Sequence, residues 1–577
     1  MGALARWAKK AEVRRSDDSP TPSFLDNDDL RPLRLKDRTW GRLVWLMFWL
    51  SSASSPGNWQ APAACIAAGL SAWETIIAML TGRAILEALI VANGRCGAVY
   101  HMPLPALIRS SWGVSWSRRG TTTGQFIGIL IFWYVETLLP AAGFDANLQG
   151  GIRVLMLGAD LIPVPKLKST IYIKVVVFFA SAFALLGWIV HLGGGIGPVF
   201  TAPSRVHGSE KAWLVVRFFL LFISNSTTFI MNAADWQRYS KKPSDPIIMQ
   251  MVGGPIAHVV ISLIGALVAS SGALIYKKVR ASLRLLLVNI TGNKQPQWNP
   301  ILLIDQILAD NYNPRVRAAC FFLGLAFTYS SLVSVVLSNG LPAGNDLAGL
   351  FPKYINYRRG TILAGCLCIV ICPWRLIATA TAFLAFLSNY GFFLSSFIGP
   401  MLAHYFLLVR GHISVDDLFT SSKTGTYYYW KGINVRAAAA YVLGITPSLY
   451  GFAGALGVPV SVSVQRSFYF SVIIGIGISA GSYILLCALW PVPQQVPFGT
   501  KGWLEPDDVI RQDDVSDNSA LSAQDADTPS SILRAVTMWK RGSNACLVAA
   551  TATCSLDPAP CQQSANTVYD ESPPACY

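Results

Sequence analysis

Charge is what this sequence has least of. Only 13% of its 577 residues are Asp, Glu, Lys or Arg, while 53% are hydrophobic. A soluble chain of this size carries about twice that charged share, so an ordinary globular interior is excluded. Mean hydropathy is +0.43, which points to a helical protein that crosses the membrane many times. Acidic residues are scarcer still, 31 against 46 basic. In a membrane protein that surplus collects in cytoplasmic loops, so it is no argument for nucleic acid. The 11 cysteines show no metal or disulfide spacing, and Cys366, Cys368 and Cys372 lie in an apolar run where a thiol acts as a small hydrophobe. No metal or cofactor is expected. There is no paired-carboxylate or nucleophile constellation, so no enzyme is expected. The first 40 residues lack the apolar core of a signal peptide, which makes the first span the targeting element.

What is present is a succession of apolar runs, and the first is broken. Leu43–Leu50 leads into the stretch Ser51–Asn58, which contains Pro56 and Gly57, and apolar residues resume at Ala61–Ala68. Proline removes a backbone donor and clashes with the preceding turn. Within lipid such a break is tolerated only where it lines a cavity or is buried in protein, and secondary transporters build substrate sites at such breaks. Further spans are expected near 72–92, 122–142, 172–192, 212–233, 249–276, 318–338, 362–380, 382–409, 437–457 and 468–489.

Residues 1–40 read as a polar, basic cytoplasmic tail, 41–490 as the membrane domain, and 491–577 as a cytoplasmic, largely disordered tail. The span over 72–92 carries Arg83 and Glu87 four apart on one face, where an ion pair accounts for both. A charge inside a span also raises a functional role for Glu87. The stretch 143–171 is too short and too polar for a full crossing of about 20 apolar residues. Lys166, Lys168 and Lys174 read as cytoplasmic charges beside it.

Several ordered stretches resemble one family. They are Asn27–Pro32 with Arg38-Thr39-Trp40, Gly69-Leu70-Ser71, Asn93-Gly94-Arg95 through Pro105, and Asn232, Asp235 and Arg238 with Lys241-Lys242-Pro243. The most specific is Asn339 through Gly344-Asn345-Asp346 to Pro352-Lys353-Tyr354 and Arg358-Arg359-Gly360. Cys372-Pro373-Trp374 and Gly432–Ala437 continue it. In these the chain resembles the nucleobase–cation symporter-1 family, of the fungal uracil/allantoin/uridine permease type. The resemblance implies an all-α polytopic fold of about twelve transmembrane helices, built as inverted five-helix repeats with helices 1 and 6 broken. It also implies import of a flat nitrogen heterocycle with a cation, in fungal members usually a proton and less often sodium. The region of the fourth span is compressed relative to the family, which also fits a non-transporting relative, either a sensor or an inactive product.

A pyrimidine has two flat faces and a donor/acceptor edge. Trp133 is expected to stack on the face and Glu136, three residues on, to accept ring N–H groups, with Asn339 completing the edge. The family's aromatic in helix 6 falls near Ser226, which offers no stacking face. Ser334 stands where sodium-coupled relatives supply a hydroxyl, but its neighbour Val333 cannot coordinate and a hard cation wants several oxygens. Glu136 is therefore the expected proton carrier. Asp28 and Asp29 are expected to gate the inner mouth by pairing with Arg238, Lys241, Lys242, Lys353 or Arg358. Both termini are expected in the cytoplasm, at the plasma membrane.

Overall fold

The computed structural model describes residues 12–13, 25–116, 167–224, 226–283, 299–370, 389–495, 497 and 501–504. Trp133 and Glu136 lie outside the described residues. The chain separates into Met1–Pro506 and Asp507–Tyr577, and the second part lies wholly outside them.

The described part is helical, with no β-strand among the described residues. Helices α1 (Arg42–Ala53) and α2 (Pro56–Ala68) are the two halves of the first span. Then come α3 (Ala72–Tyr100), α4 (Leu167–Gly193), α5 (Gly208–Ser224), α6 (Thr227–Met231), α7 (Ala233–Gln237) and α8 (Asp245–Leu283). They are followed by α9 (Pro314–Val335), a π-helical turn Val336–Gly340, α10 (Leu341–Leu350), α11 (Tyr357–Val370), α12 (Gly391–Ala403), α13 (Val435–Ala455) and α14 (Ser471–Leu489). Among the described residues, six helical stretches are long and apolar enough to cross a membrane. The first and sixth spans are missing from that group because each is broken into short pieces.

Local chemistry sets the ends. Ser71 and Glu74 form a reciprocal capping box at the start of α3, which satisfies two otherwise orphaned donors. That helix runs on to Tyr100, past Asn93-Gly94, where the sequence suggested a loop. Gly94 and Gly97 are helical because their missing side chains admit Gln237 and Ala234 of α7 against the α3 backbone. Asn339 through Leu350 likewise read as a loop and are helical. Gly340 and Pro342 are absorbed by the π turn and the first turn of α10, which continue α9 as one helix.

The apolar core joins α1, α2, α4, α8 and α9 through Ala53, Trp59, Phe178, Ile189, Ile261, Val268 and Phe327. It places the break of the first span between α4 and α9.

Candidate functional site: two broken helices around a buried lysine

The first break falls at Ser54-Ser55. Helix α1 ends at Ala53, and Pro56 opens α2. Ser55 caps α2 by accepting from the Asn58 N–H at 3.3 Å. The Asn58 amide in turn donates to the carbonyls of Ser52 and Ala53, at 3.3 and 3.1 Å. The break is thus held from within, and the carbonyls of Ser51 and Ser54 face α4 and α9, that of Ser51 also accepting from the Ser54 N–H at 3.1 Å. Ser330 of α9 donates to the Ser54 carbonyl at 2.7 Å.

The Ser51 carbonyl is taken by Lys174, whose Nζ also donates to Ser334 Oγ at 2.6 Å. Lys174 is fully buried. It sits in the second turn of α4, not in a loop, so it cannot mark the cytoplasmic side and its expected role there is corrected. The rule that a charge inside a span is functional would have singled out Lys174, which falls within the span expected near 172–192, but the sequence reading placed it with the cytoplasmic charges. Ser334 keeps its place beside the break, but its hydroxyl meets an ammonium group.

The second break follows α5, which ends at Ser224, and α6 begins at Thr227 behind Ser226, as the resemblance implied. Ser226 is buried there. Phe229, one turn on, stacks on Trp236 of α7 with centroids 5.2 Å apart, and Trp49 of α1 lies 6.4 Å from Phe229. Trp236 donates to the Leu337 carbonyl at 2.9 Å, which ties this aromatic wall to the π turn. Asn339 is buried on that same turn. Trp49, Phe229 and Trp236 escaped the sequence reading because aromatics in apolar runs look like any core residue.

Arg83 and Glu87 do not form the expected ion pair. Among the described ion pairs none joins them, and Arg83 Nη1 donates instead to Ser226 Oγ at 3.1 Å.

At one end of the helix bundle, residues 25–40 fold across the helix ends. Asn27 donates to the carbonyls of Pro352 and Ile355, at 3.0 and 2.9 Å. The Asp29 carboxylate accepts from the Tyr357 N–H at 2.7 Å, and the Asp29 carbonyl accepts from Arg238 Nη1 at 2.9 Å. The contacts of Asp29 therefore run through backbone groups, in place of the charge pairs expected. Asp28 opens a short 3-10 turn capped by Asn27. Lys241 is joined to Trp40 by its backbone N–H at 2.9 Å. Lys353 pairs with Glu12 at 2.8 Å, a partner the sequence did not suggest, and this raises the lysine's pKa. Asp26 and Arg31 form a pair at 2.8 Å, and the hydrogen bond to Asp26 raises the pKa of Arg31.

Deeper in, Asp235 Oδ1 accepts from the Leu104 N–H at 3.1 Å and from Asn345 Nδ2 at 2.9 Å. His101, just past α3, binds the Arg238 carbonyl through Nδ1 at 2.9 Å. Burial first, and then the positive charges of Arg38 and Arg238, push its pKa down to about 4.

Two interrupted helices, polar groups gathered at the breaks and a strap across one end of the bundle are the parts of a membrane transport protein with a mid-membrane site. The family model described as "Permease for cytosine/purines, uracil, thiamine, allantoin" matches residues 32–142 and 150–475. The chain belongs to that permease family, the nucleobase–cation symporter-1 group to which its motifs pointed, and it is a transporter and not an enzyme. It is 29% identical to the uracil permease of Saccharomyces cerevisiae over 546 residues, covering 86% of this chain and 83% of the relative. To the allantoin permease of the same yeast it is 29% identical over 520 residues, covering 84% and 79%. Its fold is similar to that of Mhp1, a nucleobase-cation-symport-1 family transporter solved in a closed conformation with bromovinylhydantoin bound. That likeness has a TM-score of 0.63 at 16% identity and covers 81% of this chain and 97% of Mhp1. A sodium-coupled sialic acid symporter gives 0.51 at 16% identity, covering 84% and 96%.

Proposed function

We propose that this protein imports a nucleobase-like heterocycle (uracil, or one of allantoin, uridine and thiamine) by alternating access, coupled to a proton and not to sodium. The observation that carries the reading is the Lys174 ammonium, lodged between the Ser51 carbonyl and Ser334 Oγ. Backbone carbonyls freed at a helix break are where transporters of this build coordinate a cation. Here a tethered positive charge already uses those oxygens. A sodium ion entering beside it would meet like-charge repulsion in a medium of low dielectric.

The substrate ring lies against the wall of Trp49 and Phe229, with Trp133 as a further stacking face. Asn339 and Glu136 read its edge, and Ser226 lies at the second break. Glu136 is the proton carrier suggested by sequence. The strap of Asp28 and Asp29, with Lys241 and Lys353 on the surfaces it crosses, controls opening to the cytoplasm, where both termini lie. The protein works at the plasma membrane, in the lipid bilayer, without a resident cofactor. One charge moving through about 100 mV supplies about 2.3 kcal/mol, enough for roughly 50-fold accumulation, so a single proton suffices for scavenging.

The test is uptake of radiolabelled uracil, uridine, allantoin and thiamine by cells lacking their own permeases, across external pH and with sodium replaced. Uptake of at least one substrate that rises with external acidity supports the reading. No uptake of any of the four favours a non-transporting relative.

A further inference from the structure

Glu87 lies near the middle of α3, one turn beyond Arg83. It is fully buried, and neither carboxyl oxygen has a hydrogen-bond partner among the described residues. Its head packs on the backbone of α8 at Gly254, where an added Cβ would sit 2.5 Å from Oε1. Among the neighbouring polar groups, Gln250 Nε2 is a buried amide donor without a hydrogen-bond partner among the described residues. Gln250 of α8 accepts from Gln237 of α7 at 3.3 Å, and His258 binds the Gly254 carbonyl through Nδ1 at 2.8 Å. On α7 the charged residue is Asp235, which binds Leu104 and Asn345. The segments of α2, α6, α12 and Leu104–Leu107 that pack on α3 carry no charged side chain, and the charges of α5 are Glu210, Lys211 and Arg217.

An ionised carboxylate without a donor in such surroundings is costly, whereas the neutral acid is tolerated. Once the proton leaves, the cation on the same helical face is Arg83. Its guanidinium holds Ser226 at the second break through Nη1, while Nε is buried without a partner among the described residues.

We propose that Glu87 is a proton-carrying group of this transporter and that Arg83 relays its charge to the second broken helix. With Glu87 protonated, Arg83 holds Ser226. When the proton leaves toward the cytoplasm, Arg83 turns to the carboxylate and Ser226 is released. This rests on the importer reading above, and it moves the coupled proton from Glu136, the carrier suggested by sequence, to Glu87 on α3.

Two measurements on the full-length protein test it. In proteoliposomes with an imposed pH gradient and radiolabelled uracil, uridine, allantoin and thiamine as probes, Glu87→Gln should retain counterflow exchange. Its accumulation ratio should fall to unity and its pH dependence should flatten. Glu87→Asp, which keeps a titrating carboxyl, should restore accumulation with a shifted pH profile. Infrared difference spectra between acidic and alkaline pH should show a protonated-carboxyl band that Glu87→Gln lacks. The infrared readout needs no substrate, so it judges Glu87 even if none of the four probes is transported. Accumulation by Glu87→Gln equal to the natural chain, or a carboxyl band unchanged by that substitution, would overturn the proposal.

Discussion

Lys174 Nζ and Ser334 Oγ lie 2.6 Å apart, 160 residues distant in sequence and both buried. The same ammonium reaches the Ser51 carbonyl, so one side chain ties α4 to the broken first span and to α9. Lys174→Ala removes a charged donor, leaving the Ser334 hydroxyl without it and the Ser51 carbonyl with the Ser54 N–H, at a cost of about 1–3 kcal/mol. Initial uptake is expected to fall at least about tenfold at equal surface abundance. Lys174→Arg should not rescue, because a planar fork does not replace a compact ammonium.

The Ser330 hydroxyl makes one hydrogen bond, to the Ser54 carbonyl. Ser330→Ala should cost about 1 kcal/mol and lower the unfolding temperature of the detergent-purified protein by a few degrees. Uptake should persist, which separates support of the break from the charge of Lys174.

Phe229 faces Trp49 and Trp236. Stacking of a base on an aromatic is worth about 1–3 kcal/mol. Phe229→Ala is therefore expected to raise the KM for a pyrimidine substrate by roughly 5- to 150-fold, with less effect on kcat. A KM unchanged in that variant would remove Phe229 from the site.

His101 provides a pH dependence with a definite sign. It is buried, and its pKa is held down to about 4 from an ordinary 6.5. Between those values the unfolded chain binds a proton that the folded chain refuses, so stability falls as pH drops from 6.5 toward 4. The full effect is about 3 kcal/mol at 1.36 kcal/mol per pH unit. His101 has a φ of +53°, a conformation that asparagine tolerates. His101→Asn should keep the fold and make the melting temperature less sensitive to pH over that window.

Asp29 joins the amino-terminal strap to Tyr357 and Arg238 through backbone groups. Asp29→Ala should loosen the strap, increase proteolysis within residues 25–40 and change turnover several-fold, as expected for loss of about 1 kcal/mol. Asp29→Asn retains an acceptor for the Tyr357 N–H and should behave nearly as the natural chain.

The break of the first span was legible because proline, glycine and a serine cluster are local signals. The all-helical membrane fold was legible because long apolar runs need no partner to be recognised. Lys174 was misplaced for the opposite reason. A lysine near the start of a span reads the same whether it meets water or a buried carbonyl, and its partners lie 123 and 160 residues away. Arg83 and Glu87 were paired by their spacing, yet the guanidinium found Ser226, 143 residues distant. Asn339 was placed before a loop because Gly340 and Pro342 are local breakers, whereas tertiary packing carried the helix through them as a π turn.

The most direct test of a resident lysine in place of sodium is uptake driven by a proton gradient alone. Purified protein in proteoliposomes would be given an acidic exterior, with potassium or choline replacing sodium throughout, and accumulation of the radiolabelled substrate identified in the cell assay would be followed. The account predicts accumulation above the outside concentration that is indifferent to sodium and abolished by a protonophore. Accumulation that requires sodium and ignores the proton gradient would contradict it.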